Sequence, residues 1–315
     1  MKRIVALLLA LLWCMSAVVA CKSEDEPPAE QLPVEQSQEA SEDPVEETPE
    51  EEPKKEEEKE QAKEEPQKVY STLTKEEMYA QFSAHTAELS DGTTLNYRLY
   101  LPEDYDAKKV YPLLVFLHGA GERGDDNEAQ LLHMMQTMLN LKNSPLREAI
   151  IFAPQCPSGQ QWVDTPWANG NYSTSAVKES NELAGVVEIV DQLWFDYSID
   201  EDRIYAMGLS MGGFGTWDLL MRHSDIFAAG VPICGGGDPT MADVLVDVPI
   251  YTFHGSADPT VPVDGTRAMA EALEEAGSTV YTYEELADMG HGIWGTVAAR
   301  ADVIEWLFVQ ALDQR

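Results

Sequence analysis

Ser210 stands in the stretch RIYAMGLSMGGFGTW, residues 203–217, where Gly208, Gly212, Gly213 and Gly215 crowd into eight positions around it. A serine hydroxyl is a weak nucleophile at neutral pH. It becomes competent when an imidazole takes its proton and a carboxylate holds that imidazole in one tautomer. Of the six histidines, His85 and His133 precede Ser210, His223 closes the helical pattern after it, and His118 and His254 each end a strand-like run in His-Gly, where they brace loops. His291 alone lies late, in the glycine-flanked DMGHGIWG between the last strand-like run and the final helical one, and is the expected base. The expected acid is Asp258 in HGSADPTVPV, which follows the strand-like PIYTFHGS and has Pro259 after it to fix the turn. Asp258 also fits a turn-capping role. Asp238 and Asp264 are weaker rivals, and Asp288 is too near His291 in sequence to face it.

Attack on a carbonyl builds negative charge on its oxygen, which backbone N–H groups at a helix start are suited to receive. Met211, directly after the serine, supplies one such N–H. The glycine-rich LHGAGERG at the end of an early strand-like run offers a second, from Ala120 or, as second choice, Gly121. The plain alternative for that loop is a tight turn.

A serine projected from a sheet edge on a strand-to-helix turn takes a strained backbone, and side chains two positions away on either side would collide with neighbouring chain. Gly208 and Gly212 meet that requirement. The Gly-x-Ser-x-Gly match is weak by itself and gains force from its place between an apolar strand-like run and an apolar-periodic helix. Strand-like runs occur at TLNYRLYLP, YPLLVFLHG, AIIFAPQ, RIYAMGLS, AAGVPICGG, PIYTFHGS and TVYTYEEL. Helical spacing occurs in EAQLLHMMQTMLNLK, ESNELAGVVEIVDQLWFDY, GGFGTWDLLMRHS, GTRAMAEALEEAG and GTVAARADVIEWLFVQAL. Such alternation predicts an α/β domain over 69–315, its central sheet mostly parallel and covered on both faces. AHTAEL and TLNYRLYLP, with no helix between, predict an antiparallel hairpin at one edge.

HGAGERGDDN, GLSMGGFGTW, HGSADPTVPV and GHGIW, in that order, resemble the α/β-hydrolase superfamily over roughly residues 85–315. Within it they are similar to secreted esterases described as predicted peptidases or phospholipase/carboxylesterase-like proteins, related to feruloyl esterases and polyhydroxybutyrate depolymerases. The resemblance implies an α/β-hydrolase fold and a serine esterase with Ser210, Asp258 and His291 as triad and the Ala120 and Met211 amides as oxyanion hole. It specifies fold and mechanism better than substrate. Some relatives carry an immunoglobulin-like domain before the hydrolase; a charged spacer stands in its place here.

The first 21 residues, MKRIVALLLALLWCMSAVVAC, put Lys2 and Arg3 before an apolar run of export-signal length. Their end resembles a bacterial lipobox, with Cys21 as the lipid attachment residue, although Val18 stands where leucine is commoner; ordinary secretory cleavage after Ala20 also fits. Either reading predicts an extracellular enzyme, touching a membrane only through an N-terminal lipid. Residues 22–68 carry 19 acidic and 6 basic side chains and few large apolar ones, so they are expected to be a disordered spacer. Extended, they would reach on the order of 140 Å at ~3.1 Å per residue. The remaining 247 residues, with 37 acidic and 13 basic, keep a net charge of −24, which repels phosphate backbones and argues against nucleic acid. Cys156 and Cys234 each follow an apolar run and read as separate thiols rather than one bridge. No His/Cys spacing points to a metal, and no cofactor is expected.

The segment GQQWVDTPWANGNY is too long and aromatic for a mere connector. Trp162, Trp167 and Tyr172, with Trp294 near His291, are candidates for an apolar or sugar-stacking wall, at least one of them only covering the sheet edge. With no apolar lid insertion, short acyl or aryl esters suit the cleft better than long-chain lipids, and the expected partner is a small-molecule or polysaccharide-linked ester. Two other classes use the same residues: a serine peptidase acting on short peptides, for which Arg123 or Glu122 gives only a hint of a charged pocket, and a binding module that has lost its chemistry.

Overall fold

In a computed structural model of the protein, Lys68 and residues 70–315 are the described residues. The segments expected to be an export signal ending at Cys21 and an acidic spacer lie outside them, apart from Lys68, whose ammonium pairs with Asp104 and Glu148 at 3.0 Å each. Eight strands form one sheet: β1 (Phe82–Glu88), β2 (Thr94–Tyr100), β3 (Tyr111–Leu117), β4 (Ile150–Gln155), β5 (Ile199–Leu209), β6 (Ala229–Ile233), β7 (Ile250–Gly255) and β8 (Tyr281–Leu286). Their spatial order is β1-β2-β4-β3-β5-β6-β7-β8. β1 and β2 make the expected antiparallel edge hairpin, β2 runs antiparallel to β4, and every other pairing is parallel.

The central strands β3, β4 and β6 are buried along their whole length because both faces of the sheet are covered there. Along β3, Leu113, Val115 and Leu117 enter one core while Leu114 and Phe116 enter the other, as the two-residue side-chain period requires. Helices Asn181–Asp196, Met211–Arg222 and Asp264–Glu275 follow the predicted segments. The first opens on Ser180, whose Oγ accepts the Leu183 N–H at 3.1 Å. This is the α/β-hydrolase fold expected from the sequence.

Two helical segments are broken where continuous spacing predicted one helix each. In residues 128–142 a 3-10 turn, Ala129–Leu131, is followed by a short helix, Met135–Leu139, with Met134 between them at φ +65°. That kink buries the consecutive Met134 and Met135 together, which a regular helix would point about 100° apart. The C-terminal segment divides into Trp294–Ala298 and Ala301–Phe308, with Arg300 extended between them and its guanidinium paired to Glu284 and Asp302.

Chain order sends β4 to one side of β3 and β5 to the other, so the connections diverge between β3 and β5. A crevice opens at the carboxyl ends of strands at such a switch point. The loop carrying Ala120 leaves one of these two strands and Ser210 ends the other.

Candidate active site

Ser210 sits between β5 and helix Met211–Arg222 with φ +54° and ψ −118°, a conformation that side-chain-bearing residues seldom adopt. The turn is held by the Ser210 N–H donating to Ile233 O at 2.8 Å and the Phe214 N–H donating to Ser210 O at 3.1 Å. The neighbouring glycines are required by contact. A Cβ on Gly212 would lie 2.0 Å from Leu117 O, and one on Gly208 2.3 Å from Gly212 O. The turn is thus wedged against the end of β3, and any larger residue would force backbone apart.

Residues 81 and 33 positions distant meet at this turn. His291 Nε2 is 2.7 Å from Ser210 Oγ, and His291 Nδ1 is 2.6 Å from Asp258 Oδ2. Asp258 is supplied by the turn after β7, where its Oδ1 accepts the N–H groups of Thr260 at 2.8 Å and Val261 at 3.0 Å. Its side chain is fully buried while that of His291 keeps 17% of its surface. Burial opposes a charged Asp258, but the hydrogen bonds from His291, Val261 and Thr260 outweigh it and hold the carboxyl below the usual carboxylate range. The carboxylate therefore stays ionised beside the imidazole, fixing its proton on Nδ1 and leaving the Nε2 lone pair for the serine proton.

The rival acids are occupied elsewhere. Asp238 caps the 3-10 turn Pro239–Leu245 and accepts from the Thr174 N–H at 2.7 Å, with Thr240 on its other oxygen. Asp264 pairs with Arg267, and Asp288 is exposed.

Ala120 opens a 3-10 turn, Ala120–Glu122, directly after β3, and Met211 opens its helix. Among the described residues neither of their N–H groups donates to a protein acceptor. The loop is tied down by His118: Nε2 accepts the Cys156 N–H at 2.9 Å, which places the ring proton on Nδ1, 2.6 Å from Gly119 O. Both bonds fit the neutral ring, and burial pushes the His118 pKa down to about 4. The unfolded chain takes up this proton below about 6.5, and the folded one not until about 4. Stability contributed by the neutral ring is therefore complete above pH 6.5 and declines as pH falls to 4, by at most roughly 3 kcal/mol. Thermal unfolding measured across that range should show a falling midpoint, with a shallower fall in His118→Asn.

The aromatic candidates separate. Trp162 does not line the cleft: it is fully buried, its indole N–H donates to His118 O at 3.1 Å, and its ring packs on Gly215. It is the core support of the β3 loop, because its one polar atom finds an acceptor inside. Tyr172 is likewise buried, with its hydroxyl on Asp218 at 2.6 Å. Trp167 stays half-buried, its ring 5.6 Å from the Arg123 guanidinium, and Trp294 meets His291 edge-on at 5.4 Å. Sequence reasoning also missed a pair beside Trp294: His133, its ring 5.7 Å from that of Trp294, has Nε2 3.3 Å from the buried Glu122.

Cys156 and Cys234 are free, buried thiols. The side-chain donors of Cys234, His254 and Asp258 fall within 4.8 Å of one another, a cluster their sequence spacing did not reveal. As metal ligands they fit poorly, since burial pushes the Cys234 thiol up to about 12, its Sγ donates to His291 O, and Asp258 is already bonded to His291.

The chain matches the family model described as Phospholipase/Carboxylesterase over residues 105–304. It is 29% identical over 176 residues to the probable feruloyl esterase C of Aspergillus niger, covering 56% of this chain and 59% of that protein. The chain thus spans about three fifths of the length of that relative. Among solved structures, a thermostable esterase is 35% identical with a TM-score of 0.67, covering 74% of this chain and 64% of that one. A ferulic acid esterase, 19% identical with a TM-score of 0.56 and 72% and 97% coverage, shares the fold.

Proposed function

The chain belongs to the phospholipase/carboxylesterase family of α/β-hydrolases, and from that premise we propose that it hydrolyses carboxylic esters of short or aromatic acids through an acyl-enzyme on Ser210. The observation that carries this reading is the unbroken sequence of contacts from Ser210 Oγ to His291 at 2.7 Å and from His291 to Asp258 at 2.6 Å. His291 takes the serine proton as Oγ attacks the ester carbon, and Asp258 stabilises the imidazolium. The oxyanion is received by the Met211 and Ala120 N–H groups, a role supported by their having no protein acceptor among the described residues. His291 then hands its proton to the departing alcohol, activates a water, and the acid leaves.

Trp167 and Trp294 are the aromatic surfaces assigned to the substrate, one beside Arg123 and the other beside His291. Their planes suit an aryl acid or a sugar-linked alcohol, which fits the names borne by the relatives. The same reading keeps the chain outside the cell, tethered through Cys21 and the acidic spacer, with no nucleic acid partner.

The test is a kinetic panel on the full chain: p-nitrophenyl acetate, butyrate and octanoate, methyl ferulate, acetylated xylan and an aminoacyl-anilide. Turnover of acetate or ferulate esters, falling toward octanoate and absent for the anilide, is expected. Strong anilide cleavage with weak ester turnover would replace this reading with a serine peptidase.

A further inference from the structure

We propose that His254, which the triad does not include, is a positioning residue that holds the Asp258 carboxylate in register with His291. The inference rests on the triad reading above. His254 is the penultimate residue of β7, four residues before Asp258, and its side chain is fully buried. Its Nε2 lies 3.1 Å from Asp258 Oδ2 and 3.1 Å from Val261 O. Both are acceptors, so Nε2 must carry a proton.

On the other side of the ring, Nδ1 is 2.7 Å from Thr266 Oγ1, which is itself 2.8 Å from Gly235 O. The threonine has one hydrogen for two acceptors. If it serves Nδ1, the ring is neutral with its proton on Nε2; if it serves Gly235 O, both ring nitrogens are protonated. Either arrangement aims an N–H at Asp258, and burial, which disfavours a charged ring, favours the first.

Four donors therefore face Asp258: Thr260 and Val261 N–H on Oδ1, and on Oδ2 the His291 N–H together with the His254 N–H, which is shared with Val261 O. A buried carboxylate fully supplied in this way is kept ionised and prevented from rotating about its Cβ–Cγ bond. His254 also takes part of the negative charge that His291 would otherwise feel alone. Removing that N–H makes the carboxylate a stronger partner for protonated His291 and holds the base in its unreactive form to higher pH. The other titratable groups facing the ring are His291 itself, Glu285 on the neighbouring β8 and the Cys234 thiol at the end of β6.

The experiment compares the full chain with His254→Met, which keeps bulk without a donor, and His254→Gln, whose amide N–H reaches the place of Nε2. Initial rates on p-nitrophenyl acetate are taken from pH 5 to 8.5, with thermal unfolding midpoints alongside. The Met variant should lose about 10-fold in kcat at pH 7 with KM little changed, and the acid limb of its profile should move up by roughly half a unit. Gln should restore most of the rate and return the limb to the wild-type position. A wild-type limb and rate in the Met variant would overturn the proposal, as would equal losses in both variants with an unmoved limb, which is the signature of a structural role. Should the Met variant fail to fold, His254→Asn, whose shorter amide takes the place of Nδ1 beside Thr266 and leaves Asp258 without the donor, is expected to move the limb in the same direction; an unmoved limb there overturns the proposal. Wild-type chain that neither turns over ester nor labels Ser210 with a fluorophosphonate would instead sink the triad reading, and this one with it.

Discussion

Replacing Ser210 with alanine is expected to abolish covalent labelling by a fluorophosphonate and to lower ester kcat by about 10⁶-fold, the scale on which serine hydrolases lose activity with their nucleophile. The loss should be chemical rather than structural. The Ser210 hydroxyl makes its hydrogen bond to His291, while the turn is held by backbone bonds to Ile233 and Phe214 that alanine keeps. Alanine also has the same Cβ, so the strained φ of +54° is no worse for it. The unfolding midpoint should consequently stay close to wild type. A stable Ser210→Ala protein that still hydrolysed p-nitrophenyl acetate at the wild-type rate would remove Ser210 from the mechanism.

Asp258→Asn should cost about 10⁴ in kcat, because an amide here defeats the tautomer the base requires. The reason lies in the four donors that converge on the carboxylate. Backbone N–H groups occupy Oδ1 and the two histidines occupy Oδ2, so the NH₂ of asparagine must face donors whichever way it turns. If it faces His291, the ring moves its proton to Nε2 and loses the lone pair that would accept from Ser210. Asp238→Asn is the informative comparison. That carboxylate is also buried and also accepts from Thr174 and Thr240, so its replacement should lower the unfolding midpoint, yet it holds no histidine and kcat should fall by less than about 10-fold. Equal losses in the two variants, or a larger one at Asp238, would refute the assignment of Asp258 as the orienting acid.

Much of the candidate site was legible in the sequence because its requirements are local. A strained serine between a strand and a helix demands glycine two positions away on either side, and Gly208 and Gly212 now prove to abut Gly212 O and Leu117 O. Continuous apolar runs at β3, β4 and β5 likewise reveal strands buried on both faces, and chain order singled out His291 and Asp258. What stayed hidden depends on contacts between distant segments. Trp162 in an aromatic loop looks the same in sequence whether it meets substrate or donates its N–H to His118; only the packing of that loop against the β3 end decides for the second. The break at Met134 arises because two adjacent methionines find room in one core, a gain that outweighs helical continuity. His254 could be read as a brace from its His-Gly context, but its partner could not, since Asp258 is four residues on in a turn whose backbone is bonded to the distant Leu286 and Met289. Local sterics and periodicity are properties of adjacent residues, and so the fold class, the strained turn and the candidate serine, histidine and aspartate could all be read from the sequence. Burial, hydrogen-bond partners and the direction in which each aromatic faces are properties of the packed whole, and these the tertiary structure alone decided.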